Sequence, residues 1–168
     1  MVLIITILSL VACSASEEIV ESHIVEINKM QPITLTGSIE EASDTKLIDY
    51  ARKLTALYAE AYKIKTQEEL DIINGMIFED VENFGISKIS IEQQVGSKKF
   101  SSITTEVSNE VIIHKNKDTF KYKFDINTFG TKEDGSKVVI SKITNLIFNI
   151  YKTDENELKI LSIEVIRL

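Results

Sequence analysis

The spacing of apolar positions changes twice along the chain. Val2 to Ala12 is uncharged and mostly apolar, and Ser14 to about Ile27 is polar. From Leu47 the apolar residues fall at helical spacing: Leu47, Tyr50, Ala51, Leu54, Leu57, Tyr58 and Ala61, with Lys46, Asp49, Lys53 and Glu60 on the other side. Two starts suit this helix, a capping box of Ser38 with Glu41 or the pair Ser43-Asp44. A second helix begins at the capping box Thr66/Glu69, presents Leu70, Ile73 and Ile77, and is weakened or ended by Gly75.

Beyond Phe84 the period becomes two. Ile89, Ile91, Gln93 and Val95 alternate with polar residues, and Gly96-Ser97-Lys98-Lys99 turns the chain. Ile103, Thr105, Val107, Val111 and Ile113 are expected on one face of a strand, with Thr104, Glu106, Ser108 and Glu110 on the other. Phe120, Tyr122, Phe124 and Ile126 oppose Lys121, Lys123 and Asp125 in the next strand. Val138 to Tyr151 is apolar on both faces, and its β-branched residues favour a central strand over the helix that the same spacing allows. Leu158 to Leu168 closes the chain with a phase slip between Ile160 and Leu161, the mark of a bulge. Pro32 sits in a short alternating stretch suited to a sheet edge.

These periods predict an α+β fold, N-terminal helices packed on a strongly bent antiparallel sheet of four to five long strands. Strands of the expected length must twist and bend, and the amphipathic helices cover the concave face. The division is 1–12 as a signal peptide, 13–42 as a lipidated cysteine and acidic tether, and 43–168 as a single α+β domain.

Cys13 supports the first two segments. It is the only cysteine and closes Leu10-Val11-Ala12-Cys13. An aliphatic residue three places before the cysteine and a small residue just before it resemble the lipobox of a bacterial lipoprotein signal peptide. No Lys or Arg precedes the apolar core, a departure from the usual positive start. The resemblance implies that the Cys13 thiol takes up diacylglycerol as a thioether and that cleavage before it leaves Cys13 at the mature N-terminus. The run from Val2 to Ala12 has the length of a signal-peptide core and is short of the ~20 apolar residues a spanning helix needs. Two or three acyl chains anchor firmly where one holds marginally. The expected location is therefore the cell membrane, lipid-anchored on the extracytoplasmic side, or an outer membrane.

Charge refines this picture. The chain carries a formal −7, and residues 14–42 hold six acids and one base. This reads as a solvated tether, whose ~15 flexible residues reach roughly 20 Å. No basic stripe exists, which excludes nucleic acid as a partner. Lys outnumbers Arg 17 to 2 and Ile occurs 27 times, a bias read as nucleotide composition and not as function.

Motifs for chemistry are sparse. His23 falls in the tether and His114 at a strand end, where neither has an oriented partner for general-base work. Glu79, Asp80 and Glu82 read as a solvated turn, without the glycine-hinged aspartate loop of an EF-hand. Glu40-Glu41 suit a helix N-terminus. Gly130 and Gly135 flank a hairpin and precede no helix, so no phosphate loop is present. Tyr50, Tyr58 and Tyr62 share helical spacing and are read as a helix–sheet seam, while Tyr122 suits either packed core or a pocket. No catalytic residue, metal ligand or cofactor is expected.

The order of elements and the strand lengths over residues 44–168 resemble the cone-shaped α+β fold of the nuclear-transport-factor-like and cystatin-like superfamilies. That group includes extracytoplasmic domains of conjugation and type IV secretion proteins, some of them lipid-anchored, which pair with one another or with channel components. No residue here matches a motif of theirs. The resemblance implies a non-enzymatic binding or scaffold lipoprotein of a cell-envelope assembly, held to the membrane by its N-terminal lipid and meeting a protein partner. The alternative is a small-ligand carrier using the pocket of the cone.

Overall fold

The computed structural model describes residues 30–61, 66–87, 89, 91 and 100–166. Pro32–Leu168 forms one compact unit. Among the described residues the helices α1 (Asp44–Glu60), α2 (Gln67–Ile77) and the single turn α3 (Val81–Phe84) come first. Four strands follow: β1 (Ser102–Lys115), β2 (Thr119–Thr131), β3 (Lys137–Lys152) and β4 (Leu158–Val165), an antiparallel meander in the order β1-β2-β3-β4. The fold is α+β with a curled sheet, as the periods predict.

Local sequence explains the helix ends. Ser43 is the N-cap of α1, its Oγ accepting the Lys46 N–H at 3.3 Å, so the second of the two expected starts is used. Thr66 and Glu69 form the complete capping box: Thr66 Oγ1 accepts the Glu69 N–H at 3.2 Å, and Glu69 Oε2 accepts the Thr66 N–H at 3.0 Å. Helix α2 does not end at Gly75. It continues to Ile77 because Ile77 and Phe78 are buried, and that burial outweighs the ~1 kcal/mol that glycine costs a helix.

The alternation expected from Ile89 onward is overturned in its first residues. Ile89 and Ile91 are helical, with the Ile91 N–H bonded back to Ser87 O at 3.1 Å. Ile91 is buried with Ala61 and Leu70, and this tertiary burial overrides the short alternating pattern. Gln93, Val95 and the turn at 96–99 lie outside the described residues.

Strand β2 is the regular spine of the sheet. Its residues alternate without a break, Phe120, Tyr122, Phe124, Ile126, Thr128 and Gly130 buried and their neighbours half-exposed. The irregularities fall on the other strands. In β1, Asn109-Glu110 together oppose Phe124, and Ile113 is a further extra residue. In β3, Thr144-Asn145 oppose Asp125, and Ile140 is extra. In β4 the register slips at Leu161, as the phase of the sequence requires. Each bulge increases local twist and bends the sheet.

The core lies between the helices and the inner face of the sheet. Phe124 meets Tyr122 in a stack with centroids 4.6 Å apart and meets Phe148 edge-on at 4.8 Å. Tyr58 of α1 meets Phe148 of the sheet edge-on at 5.7 Å and Phe78, after α2, edge-on at 6.5 Å, the one of the three expected seam tyrosines seen packed there. Leu35, Ile39 and Ala42 are also buried, so residues 32–42, grouped by charge with the acidic segment, pack with the body. Leu35 N–H donates to Asn156 O at 2.9 Å and Leu158 N–H to Ile33 O at 2.7 Å, a short bridge on the β4 edge where Pro32 leads in.

Gly130 flanks the β2–β3 hairpin as the penultimate residue of β2. A Cβ there would lie 2.4 Å from Phe100 Cδ1, so the missing side chain is the seat of the Phe100 ring. Gly135 does turn the β2–β3 hairpin, with φ +81°.

Candidate polar cluster beneath helix α1

The inner face of the sheet is mostly apolar, and a charged cluster interrupts it where α1 crosses β1. The bulge at Asn109-Glu110 reverses the phase of β1 beyond Ser108. Val111 and Ile113, expected with Val107 on the buried face, are instead exposed at 44% and 47%, and Glu110, expected on the polar face, is half-buried. Asn109 takes φ 54°, a left-handed conformation that asparagine tolerates better than most residues. The turn of phase delivers the Glu110 carboxylate to Tyr122 and to Arg52 of α1.

These three residues form a closed hydrogen-bond set. The Tyr122 hydroxyl donates a short hydrogen bond to Glu110 Oε1. Arg52 Nε donates to both Glu110 oxygens at 3.0 Å and Nη2 to Oε2 at 2.7 Å. Arg52 Nη1 also donates to Asp49 Oδ1 at 3.3 Å, one turn back on α1. Arg52 is over half exposed, whereas the Glu110 side chain is 14% exposed and Tyr122 fully buried.

The electrostatics follow from these contacts. Hydrogen bonds from Arg52 hold the Glu110 carboxyl below its ordinary value, against the opposing effect of burial, with Tyr122 adding to the lowering. Burial pushes the Tyr122 phenol up, and donation to Glu110 pushes it further. Glu110 therefore stays ionised and Tyr122 protonated across the neutral range. A catalytic acid or base works best with a pKa near the operating pH, and this pair is driven away from it in both directions. The arrangement suits a satisfied polar contact that seats α1 on β1.

A second polar region lies at the β3–β4 hairpin. An open groove of about 400 Å³ is bordered by Glu79, Tyr151, Lys152 and the acidic turn Asp154-Glu155. Burial first, and a hydrogen bond with Glu79 second, raise the Tyr151 phenol to about 12. Lys152 Nζ donates to Gly37 O at 2.6 Å, so the cation ties the loop before α1 to β3. Lys159 pairs with Glu157 at 3.6 Å.

The residues singled out in the sequence do not converge. Cys13, His23 and Tyr62 lie outside the described residues. His114 is exposed on β1 opposite Lys121. Asp80 caps α3, accepting the Asn83 N–H at 3.1 Å, while Glu82 is exposed and Glu79 faces Tyr151. Glu40 and Glu41 are exposed in the turn preceding Ser43, and Tyr50 carries the Lys53 ammonium 5.2 Å from its ring. Tyr122 belongs to the packed core. Among the described residues, no group of three or more His, Cys, Asp or Glu side chains is placed to hold a metal ion, and no helix is long and apolar enough to cross a membrane.

Arg52 and Glu110 were not singled out by sequence. The one available signal is Ser108-Asn109-Glu110, three polar residues in a row whose central asparagine accepts positive φ.

No protein-family model matches the chain, and no curated protein matches it. The solved structures similar to it include two described by name. One, from Novosphingobium aromaticivorans, bears the provisional name of an aromatic ring hydroxylase; it is 13% identical, with 76% of this chain and 94% of that chain covered and a TM-score of 0.46. The other, the Kfla4162 protein from Kribbella flavida, is 14% identical, with 73% and 88% covered and a TM-score of 0.43.

Proposed function

We propose that this chain is a lipid-anchored, extracytoplasmic binding or scaffold protein without catalytic activity of its own, working within a cell-envelope assembly such as a conjugation or secretion apparatus. One observation carries the reading: the uncharged apolar run that ends in Leu10-Val11-Ala12-Cys13, followed at once by an acidic polar segment. The thiol is the nucleophile that lipidation needs, and Ala12 is the small residue that cleavage before Cys13 needs. The lipid holds the protein at the membrane, and the tether sets the distance over which the body reaches a protein partner.

Two features of the body support the non-catalytic part. Glu110 and Tyr122 satisfy each other and are displaced from neutral pKa values. The inner face of β2 is packed with aromatic side chains, Phe120, Tyr122 and Phe124, an arrangement more suited to a solid support than to a ligand carrier.

The anchor is tested by growing cells on a labelled fatty acid. The wild-type chain takes up label and shifts to the mature mass, while Cys13→Ala remains an unlabelled precursor. Label persisting on Cys13→Ala sinks the anchor. The scaffold role is tested separately, by affinity purification from detergent-solubilised membranes of cells carrying the tagged lipoprotein. One defined envelope protein should be recovered in constant proportion; repeated recovery of none removes the scaffold reading and leaves the anchor standing.

A further inference from the structure

Asn74 lies on α2 and is 4% exposed. Its side chain is held at both ends by one residue beyond α3: Nδ2 donates to Ile86 O at 2.8 Å, and Oδ1 accepts the Ile86 N–H at 2.9 Å. The following residue is Gly75, exposed, with nothing within 4 Å of where a Cβ would be. Asn-Gly occurs once in the 168 residues. The most cyclisation-prone dipeptide in the sequence is thus placed in a helix, with its amide locked in a clamp.

We infer that Asn74-Gly75 is a latent self-modification site, kept intact by the Asn74–Ile86 clamp and opened to reaction when that clamp releases. The chemistry needs only water. The Gly75 main-chain nitrogen attacks Asn74 Cγ and loses its proton. A C–N bond forms, the Cγ–Nδ2 bond breaks, and ammonia leaves with the proton. Water then adds to either carbonyl of the resulting succinimide, giving aspartate or isoaspartate. Glycine favours the attack because no side chain shields its nitrogen.

The folded chain blocks the first step twice. In α2 the Gly75 N–H points along the helix toward the carbonyl four residues earlier, away from its neighbour's Cγ. The clamp also fixes the Asn74 amide in the rotamer that serves Ile86. The product cannot restore what the clamp held. A carboxylate at position 74 has no N–H for Ile86 O and sets a negative oxygen against a carbonyl in a buried place. An isoaspartyl link adds a main-chain carbon inside α2 and breaks its ladder. Conversion is therefore one-way, detaching the segment at Ile86 from α2.

The test follows conversion by peptide mass mapping of the full chain at mildly alkaline pH, folded and in urea. Conversion at Asn74 should be at least about a hundredfold slower in the folded chain, because a buried site opens only rarely. Equal rates, or no conversion in urea, overturn the assignment. Gly75→Ala folds, since its side chain meets open space and alanine favours helix; in urea it should convert far more slowly than wild type, and an unchanged rate overturns the role of the Gly75 nitrogen. Ile86→Pro removes the N–H that Asn74 Oδ1 accepts. Under folding conditions it should convert faster than wild type; a rate equal to wild type with helix content retained overturns the clamp as the gate. Should Ile86→Pro fail to fold, wild type in urea below its unfolding transition replaces it: conversion that outpaces the globally unfolded fraction supports the clamp, and conversion that merely tracks it overturns it.

Discussion

Asp125 Oδ1, on the outer face of β2, accepts the main-chain N–H of Asn145 on β3 at 2.8 Å. Its other oxygen accepts Asn109 Nδ2, on β1, at 2.7 Å. Asn109 and Asn145 both take φ 54°, and each belongs to a bulge. One carboxylate on the regular strand thus braces a bulge on either side, at the level where the sheet curls and β1 changes phase. The Asn145 N–H first, and Asn109 second, hold the Asp125 carboxyl below its ordinary 3.8.

Asp125→Ala should lower stability by about 1–2 kcal/mol through the two lost bonds, read as a shift in the urea midpoint. The effect depends on pH with a definite sign. A group whose folded pKa is lowered contributes stability above its unfolded pKa and loses it as pH falls through the folded value. The gap between wild type and Asp125→Asn should therefore be full at neutral pH and close below about pH 4. A gap that widens on acidification contradicts the bracing role.

Glu110→Ala leaves the buried Tyr122 hydroxyl without its acceptor, which costs about 1–3 kcal/mol. Tyr122→Phe should cost less, about 1 kcal/mol, because Arg52 still satisfies Glu110. The double variant should cost less than the sum of the singles, since both remove the same bond. Additive losses would separate the two residues.

Arg52→Met should raise the Glu110 pKa by removing its main hydrogen-bond donor. In wild type the stability from Glu110 is lost as pH falls below its ordinary 4.5. The acid-side slope of stability should flatten in Arg52→Met, and an unchanged slope would exclude the pair as its source.

On the alkaline side the sign reverses. Tyr122 and Tyr151 both have raised values, so their contribution is full below pH 10 and lost as pH rises through the folded values. Phenolate absorbance should show a late step that coincides with unfolding and is smaller in Tyr122→Phe, where only Tyr151 remains raised. Complete ionisation of all tyrosines in a still-folded chain would contradict this.

Gly130→Ala places a methyl in the Phe100 ring. Overpacking of this kind costs about 1–3 kcal/mol. With Phe100→Ala in the background the penalty should largely vanish, because the obstructing ring is gone. A cost that persists in the double variant would place the strain in the backbone of β2.

Much of the architecture was legible because it depends on short-range repetition. The capping box at Thr66, the alternation from Phe120 to Ile126 and the phase slip at Leu161 each lie within a few residues of their cause. The inward turn of Glu110 was not legible. Two apolar residues, Ile112 and Ile113, compete for the buried face, and only the bulge at Asn109 selects the first. That bulge is held by Asp125, sixteen residues away. Ile91 shows the same limit, since its burial beside Leu70 outweighs local alternation.

Taken alone, the order of residues determined an uncharged apolar run leading to Cys13, two capped helices and a regular central strand, because each is encoded by neighbours in the chain. Tertiary structure alone decided which carboxylate meets Tyr122, where the sheet bends and why Asn74 is clamped. Those outcomes depend on groups brought together across strands and helices, where a single extra residue in one strand exchanges its two faces.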